Sequence, residues 1–277
     1  MRKFVYRFEA MSTSCEIIIY EQDKHKADAS AQSVLEDTKR LESKYNYYDS
    51  KSFISKINSR LFNTLDLETK NILQRASLYY KETSGVFDIT IATIKNIYSE
   101  SLKVKDLEEK KESLMPYVGC EHFSIKKDRI SFDNEFTKID LGGFVKEYAV
   151  DRAVGILKKL KIKSALINYG GDVYALGKKP DGTKYKIGIK DPRNRALYAK
   201  EIMLENEALT TSASYERNYE IEEKVYSHII TKDEQKSDAL SVTVVSNSCV
   251  ESGVYSTALM LDSKVDIKNK NLRITLI

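Results

Sequence analysis

Apolar and polar positions alternate along residues 2–20, and the alternation breaks near Met11-Ser12-Thr13-Ser14, which predicts two strands joined by a turn. The second strand carries the run Ile17-Ile18-Ile19-Tyr20. Over 26–44 the period changes, with Ala27, Ala31, Val34, Leu35 and Leu41 near helical spacing. A polar, tyrosine-rich turn, Tyr45-Asn46-Tyr47-Tyr48-Asp49-Ser50, precedes a short helix expected over 52–58. Another helix is expected over 67–83, with Ile72, Leu73, Ala76, Leu78 and Tyr79 on its buried side and Gly85 ending it, as glycine does just past a helix C-terminus. Residues 95–120 are rich in Lys and Glu and read as helical, without evident chemistry. A hairpin is expected over 124–132, turning at Lys127-Asp128. The clearest amphipathic helix covers 145–160, where Ala149, Ala153, Ile156, Leu157 and Leu160 form the apolar face. Strands dominate afterwards, at 165–168, 173–176, 184–189, 201–204 and 226–230, and then a strand at 241–246, a helix over 249–261 and a last strand at 272–277. The predicted class is α+β, with mixed, largely antiparallel sheets and packed helices. No repeat or low-complexity linker divides the chain, so 1–277 reads as a single domain.

Composition narrows the function. The chain has 277 residues, 42% of them hydrophobic, enough for a sizeable core. Its net charge of +4 is a small surplus on 45 Lys and Arg against 41 Asp and Glu, which is no footprint for nucleic acid. The basic run Lys158-Lys159-Leu160-Lys161 reads as a solvated element end. Cys15, Cys120 and Cys249 are odd in number and far apart, so neither a disulfide framework nor a zinc cluster fits them. They read as small buried side chains in a reducing compartment. The first residues lack the apolar core of a signal peptide, and no stretch approaches the ~20 apolar residues of a membrane span. The expectation is a cytoplasmic protein without a membrane span.

Four segments could carry chemistry. In Ile139-Asp140-Leu141-Gly142-Gly143-Phe144-Val145-Lys146, a strand end, two glycines and a helix start would form an anion-binding turn, with Lys146 adding a cation; an ordinary tight turn reads the same way. Asn168-Tyr169-Gly170-Gly171-Asp172-Val173 offers either a close backbone approach to a ligand or a turn within a sheet. Thr210-Thr211-Ser212-Ala213-Ser214-Tyr215 carries five hydroxyls in six residues, suited to phosphate, ribose or metal, or to an exposed strand. His228, in Tyr226-Ser227-His228-Ile229-Ile230, is either a structural histidine or a general base. None of the four decides the function alone.

Taken in order, these segments resemble the ApbE family of flavin transferases (FAD:protein FMN transferases). Met11-Ser12-Thr13 resembles the family's opening Met-Gly-Thr, and the stretch from Tyr48 to Asn58 resembles its tyrosine loop and Ser-rich helix. Thr83-Ser84-Gly85-Val86-Phe87-Asp88-Ile89-Thr90 matches Thr-x-Gly-x-Phe-Asp-x-Thr. The residues from Asp140 to Asp151 resemble the most specific stretch, Asp-Leu-Gly-Gly-x-Ala-Lys-Gly-Tyr-Ala-Val-Asp. Asn168 to Asp172, Gly188 to Arg193, Thr211 to Tyr215 and Ser227 to Ile229 follow in the family's order.

The resemblance implies an ApbE-like, T-fold-related architecture. It also implies transfer of FMN from FAD to a Thr or Ser hydroxyl of an acceptor protein, through a phosphodiester bond and with release of AMP. By resemblance, Met11, Tyr48, Asp88, Lys146, Gly170, Gly171, Asp172, Thr211 and Ser212 would bind FAD. Mg²⁺ would be held by the Val145 carbonyl and Thr257, and His228 would act as base. One departure touches that metal site: Gly253 stands where the family pattern has the ligand Asp. Others lie nearby: Ala213 and Ser214 replace a Gly-Asp, Glu147 replaces the Gly after Lys146, and Ile230-Thr231-Lys232-Asp233-Glu234 follows where the family has Ile-x-Asp-Pro-x-x-Gly. Losing the anionic oxygen that a hard cation prefers would weaken the site. Two other expectations therefore stay open, an FAD-binding carrier or scaffold without catalysis and a metal-dependent FAD pyrophosphatase.

Overall fold

A computed structural model describes residues 1–101, 103–194, 196–213, 218–222, 224–227, 237–269 and 271–277. The chain opens as the first alternation predicts, with β1 (Arg2–Ala10) pairing antiparallel with β2 (Thr13–Glu21) across a two-residue turn at Met11 and Ser12. Helix α1 (Lys24–Tyr45) follows, then α2 (Phe53–Asn58) and α3 (Leu67–Glu82). The side chains of Asp23, Ser52 and Asp66 accept a backbone N–H at the three helix starts, as N-caps do. Helix α3 ends in a Schellman turn, with Gly85 N–H donating to the Tyr80 carbonyl at 2.7 Å and Ser84 N–H to Lys81 at 3.2 Å. Leu78, expected on the buried side of α3, is instead exposed.

The Lys/Glu-rich stretch is helical as expected, in α4 (Ala92–Lys95), α5 (Ile97–Glu100) and α6 (Val104–Leu114). It closes its own small core, in which Ile94, Ile97, Tyr98, Leu107 and Val118 are buried together. The hairpin of β3 (Phe123–Lys126) and β4 (Arg129–Phe132) turns at Lys127 and Asp128. Helix α7 (Gly142–Lys159) kinks at Gly143, whose φ of −88° and ψ of 16° are not helical, so its regular turns begin close to the predicted start.

The remaining strands are β5 (Ala165–Tyr169), β6 (Asp172–Leu176), β7 (Tyr185–Lys190), β8 (Tyr198–Leu204), β9 (Glu207–Ala213), β10 (Asn218–Ile221), β11 (Lys224–Ser227), β12 (Ser241–Ser246) and β13 (Arg273–Leu276). Helix α8 covers Cys249–Leu261, the predicted span. A seven-stranded sheet has the order β1-β2-β5-β6-β9-β12-β13, and every ladder among the described residues is antiparallel. The residues 228–230 of the strand predicted at 226–230 lie outside the described residues.

The sheet buries both faces. On one, α1, α7 and α8 pack over Ile17, Ile19, Ile167, Tyr174, Ala208, Val242 and Val244. On the other, the β7–β8 hairpin brings Tyr185, Ile189, Ile202 and Leu204 against Val173, Ala175, Leu209 and Val245. Strand β9 therefore sits inside the sheet, not at an exposed edge, and Thr210 is buried. All three cysteines are free and buried, as expected. Burial pushes the Cys15 thiol up to about 11. Among the described residues no helix is long and apolar enough to cross a membrane.

Helices α7 and α8 run antiparallel, and a half-buried acid locks them together. Asp151 on α7 accepts the Cys249 N–H at 2.7 Å and the Val250 N–H at 3.1 Å, capping the start of α8. Burial nevertheless raises the Asp151 carboxyl from 3.8 to about 6. An acid whose pKa is raised by folding loses its stabilising contribution as pH climbs through the folded value. Its ionised form should therefore weaken the fold by roughly 2 kcal/mol between pH 4 and pH 7, relative to the neutral acid. Asn mimics the neutral acid at all pH. The stability advantage of the native chain over Asp151→Asn, measured by urea unfolding, should accordingly shrink by about that amount from pH 4 to pH 7. A constant difference would contradict the assignment.

Candidate active site at the first turn of α7

The strand ends carry the predicted motifs to one end of the sheet. Strands β2 and β5 pair Cys15 with Tyr169, so the Met11-Ser12 turn lies beside the Gly170-Gly171 turn that joins β5 to β6. Both are two-residue hairpin turns with positive φ at each central residue, 53° and 58° in the first, 60° and 103° in the second. The Gly170 N–H donates to the Ser14 carbonyl at 3.1 Å, and Gly171 N–H to Asn168 Oδ1 at 2.9 Å. A Cβ on Gly170 would stand 2.2 Å from Thr13 Oγ1, so the close approach requires glycine here. The Met11 N–H is held by the Glu42 carboxylate of α1.

Asp172 opens β6 immediately after the second turn and is buried, with its carboxylate 2.7 Å from Lys146 Nζ. That ion pair fastens the sheet end to the first turns of α7. Strand β9 ends at the same place. Its alternation divides Thr210, Thr211 and Ser212 of the predicted hydroxyl run between two faces, while Ser214 and Tyr215 lie outside the described residues. Thr210 and Ser212 point to α8, with Thr210 Oγ1 at 3.0 Å from Ser252 Oγ, and Ser212 Oγ at 2.9 Å from Ser256 Oγ and 3.2 Å from Thr257 Oγ1. Thr211 points the other way and meets Thr243 Oγ1 at 2.8 Å. Thr211 and Ser212 are thus neighbours in sequence on opposite faces of the sheet.

The start of α7 is less open than a bare anion-binding turn. The Gly142 N–H already donates to Asp140 Oδ1 at 2.8 Å. Asp140 in turn lies 2.5 Å from Lys95 Nζ. Burial pulls the Lys95 pKa down, but the Asp140 carboxylate overcomes this and holds it above the usual lysine range. Lys95 Nζ also sits 5.0 Å from the ring centre of Tyr48 and 5.5 Å from that of Tyr47. Tyr48 itself is 74% exposed, an aromatic face presented to solvent. Asn58 clamps this segment from α2, exchanging hydrogen bonds with both backbone groups of Ile139 at 2.8 Å. Asp88 serves a local turn, accepting from Thr90 N–H at 2.8 Å and Thr90 Oγ1 at 2.6 Å. It reaches the site through its neighbour Ile89, whose carbonyl takes the Asp140 N–H at 2.9 Å.

The antiparallel register of α7 and α8 brings the two residues expected to hold a metal to the same end of the helix pair. Asp151 meets residues 249 and 250, and Glu147 meets Gly253, so one further turn brings Thr257 level with Gly143, two residues before Val145. Glu147 is 6% exposed, and its Oε2 has no hydrogen-bond partner among the described residues. Burial and then the nearby Asp172 push its carboxyl well above the usual carboxylate range. A buried acidic oxygen without a hydrogen-bond partner among the described residues, a backbone carbonyl and a threonine hydroxyl are donor types that suit a hard divalent cation. Among the described residues no three His, Cys, Asp or Glu side chains gather as a metal cluster, so a cation here would rest largely on uncharged oxygens. His228, the expected base, lies outside the described residues. A separate cleft of about 590 Å³, lined by Tyr80, Cys120 and Glu121 among others, holds none of the predicted site residues.

The ApbE family sequence profile matches residues 11–269. The chain belongs to the ApbE family. Among curated proteins, it is 29% identical over 236 residues to an FAD:protein FMN transferase of Chlamydia pneumoniae, covering 81% of this chain and 73% of that one. It is 27% identical over 261 residues to one of Buchnera aphidicola, covering 87% of this chain and 75% of that protein. The crystal structure of an ApbE protein from Thermotoga maritima superposes with a TM-score of 0.88 at 27% identity, over 100% of this chain and 94% of that one. The flavin transferase ApbE of Vibrio cholerae has the same fold, with a TM-score of 0.83 at 20% identity over 100% of this chain and 94% of that one.

Lys95 and Glu147 are the residues of this ApbE-family chain that sequence reasoning passed over, one inside a stretch without evident chemistry and the other seen only as a departure. Gly253 is informative as well. Glycine inside a helix costs about 1 kcal/mol relative to alanine, so its place in α8 needs a packing reason. A Cβ there would stand 2.6 Å from Glu147 Cγ, and overpacking of that kind costs ~1–3 kcal/mol. Gly253→Ala should therefore lower stability to denaturant despite alanine's helix propensity. A more stable variant would show that α7 is free to move away.

Proposed function

We propose that this chain transfers FMN from FAD to a Thr or Ser hydroxyl of an acceptor protein, releasing AMP. The observation that carries the reading is convergence: motif segments scattered from Met11 to Thr257 gather around the first turns of α7. The family's named flavin transferases support it.

In this reading the Met11-Ser12 and Gly170-Gly171 turns let the flavin nucleotide approach the backbone closely, and Ser212 lines its path. Tyr48 offers an exposed ring for stacking, with Asp88 holding the neighbouring turn in place. Lys146 and Lys95 lie near the pyrophosphate, already ordered by Asp172 and Asp140, so little side-chain entropy is lost on binding. The acceptor oxygen forms a bond to the FMN phosphorus as the pyrophosphate bond to AMP breaks. The hydroxyl proton passes to a base, the role assigned to His228. The Val145 carbonyl and Thr257 hydroxyl would hold Mg²⁺, which when bound offsets the negative charge of the pyrophosphate.

The test is incubation of the chain with FAD, Mg²⁺ and a small acceptor domain bearing a flavinylation threonine. Mass spectrometry should find an FMN-sized addition on the acceptor, with AMP released in equal amount. AMP and free FMN without modification would favour a pyrophosphatase, and bound but intact FAD a carrier. Tyr48→Ala should weaken FAD binding roughly 2- to 10-fold in a flavin fluorescence titration, since one aromatic stack is worth ~0.5–1.5 kcal/mol. Its melting temperature should fall only slightly, because the ring is 74% exposed and gives up little beyond its contacts with Lys95 and Tyr47.

A further inference from the structure

Two departures from the family pattern, Glu147 for Gly and Gly253 for Asp, lie 106 positions apart in sequence and in contact in space. A Cβ built on Gly253 would stand 2.6 Å from Glu147 Cγ, 3.1 Å from its Cδ and 3.2 Å from its Oε1. An Asp at 253 would carry its carboxylate two bonds beyond that Cβ. Glu147 brings a carboxylate to the same small volume from the opposite helix, and the volume holds only one of them. The absence of a side chain at 253 is what lets the Glu147 side chain lie there.

Glu147 is buried, and its Oε2 accepts no hydrogen bond from a described residue. Lys146, the cation whose charge acts on it, is ion-paired with Asp172 at 2.7 Å. A buried carboxylate oxygen without a donor is costly to keep. On the same turn of α7 stands the Val145 carbonyl, and one turn beyond Gly253 on α8 stands the Thr257 hydroxyl, itself 3.2 Å from Ser212 Oγ.

We propose that Glu147 is the anionic ligand of the divalent-cation site, a carboxylate moved across the α7–α8 interface to replace the one lost at 253. The two departures are then one exchange that keeps the charge and changes the helix supplying it. The metal site keeps an acidic oxygen, and the loss expected from Gly253 alone does not occur. This inference rests on the flavin-transfer reading for the purpose of the site, but not for its test.

The test is Mn²⁺ binding to the full chain at pH 7.5, by isothermal titration and by electron paramagnetic resonance of free Mn²⁺. FAD binding is followed separately by flavin fluorescence without metal. The native chain should take one Mn²⁺. Glu147→Gln should lower its affinity at least tenfold while the metal-free protein melts no lower than the native one. The exchange variant Glu147→Gly/Gly253→Asp should recover affinity to within about threefold of native. Gly253→Asp alone should melt lower, since its Cβ meets Glu147, and adding Glu147→Gly should restore the melting temperature. The proposal is overturned if the native chain binds no Mn²⁺, if Glu147→Gln binds it as tightly as native, or if the folded exchange variant does not recover binding. Failure of FAD binding alone would instead remove the flavin reading and leave the Mn²⁺ result to decide Glu147.

Discussion

The close antiparallel packing of α7 on α8 is the constraint on which the site depends. It is fixed at one end by Asp151 capping α8, and at the other by the space that Gly253 leaves for Glu147. With that register set, Thr257 comes level with the first turn of α7, and the small hydroxyl residues of α8 meet those of β9. Ser252 pairs with Thr210, and Ser256 and Thr257 with Ser212. Such short polar contacts allow a helix to lie close on a sheet while leaving its buried hydroxyls paired. A larger side chain at 252, 253 or 256 would lift α8 away and open the site.

The sheet supplies the complementary rigidity. The Gly170-Gly171 turn presents backbone rather than side chains at one end, beside the Met11-Ser12 turn, and the Lys146–Asp172 pair ties that end to α7. Lys95 and Asp140 do the same on the other side of the α7 start, beneath two tyrosine rings. Each of these lysines holds a carboxylate before any ligand arrives. Positioning of this kind suits phosphoryl transfer, where the protein contributes orientation and charge rather than covalent chemistry.

Much of this was legible in the sequence, for physical reasons. Periodicity found the paired opening strands, the hairpin at Lys127 and helix α8, because each buries one face against a continuous core. It misjudged Leu78, which meets the helical spacing but faces solvent. The hydroxyl run at 210–212 looked like an exposed strand because its polar residues carry no hydrophobic signal. In the fold those hydroxyls are satisfied by other hydroxyls, and Thr211 turns to Thr243 while its neighbours turn to α8. The order of motifs pointed to the family, yet the pairs that join those motifs in space are long-range: Lys95 with Asp140, Lys146 with Asp172, Glu147 with Gly253. No local pattern reports a pairing across 45 or 106 residues. Gly253 read by itself meant a lost ligand, and only its neighbour across the interface gives it another meaning.

The most direct measurement is an anomalous diffraction map, at the manganese edge, of crystals grown with FAD and Mn²⁺. The account predicts one peak at about 2.0–2.6 Å from the Glu147 carboxylate, bounded by the Val145 carbonyl and the Thr257 hydroxyl, with the flavin pyrophosphate beside the first turn of α7. A peak held by other residues, or flavin density away from the double-glycine turn, would contradict it.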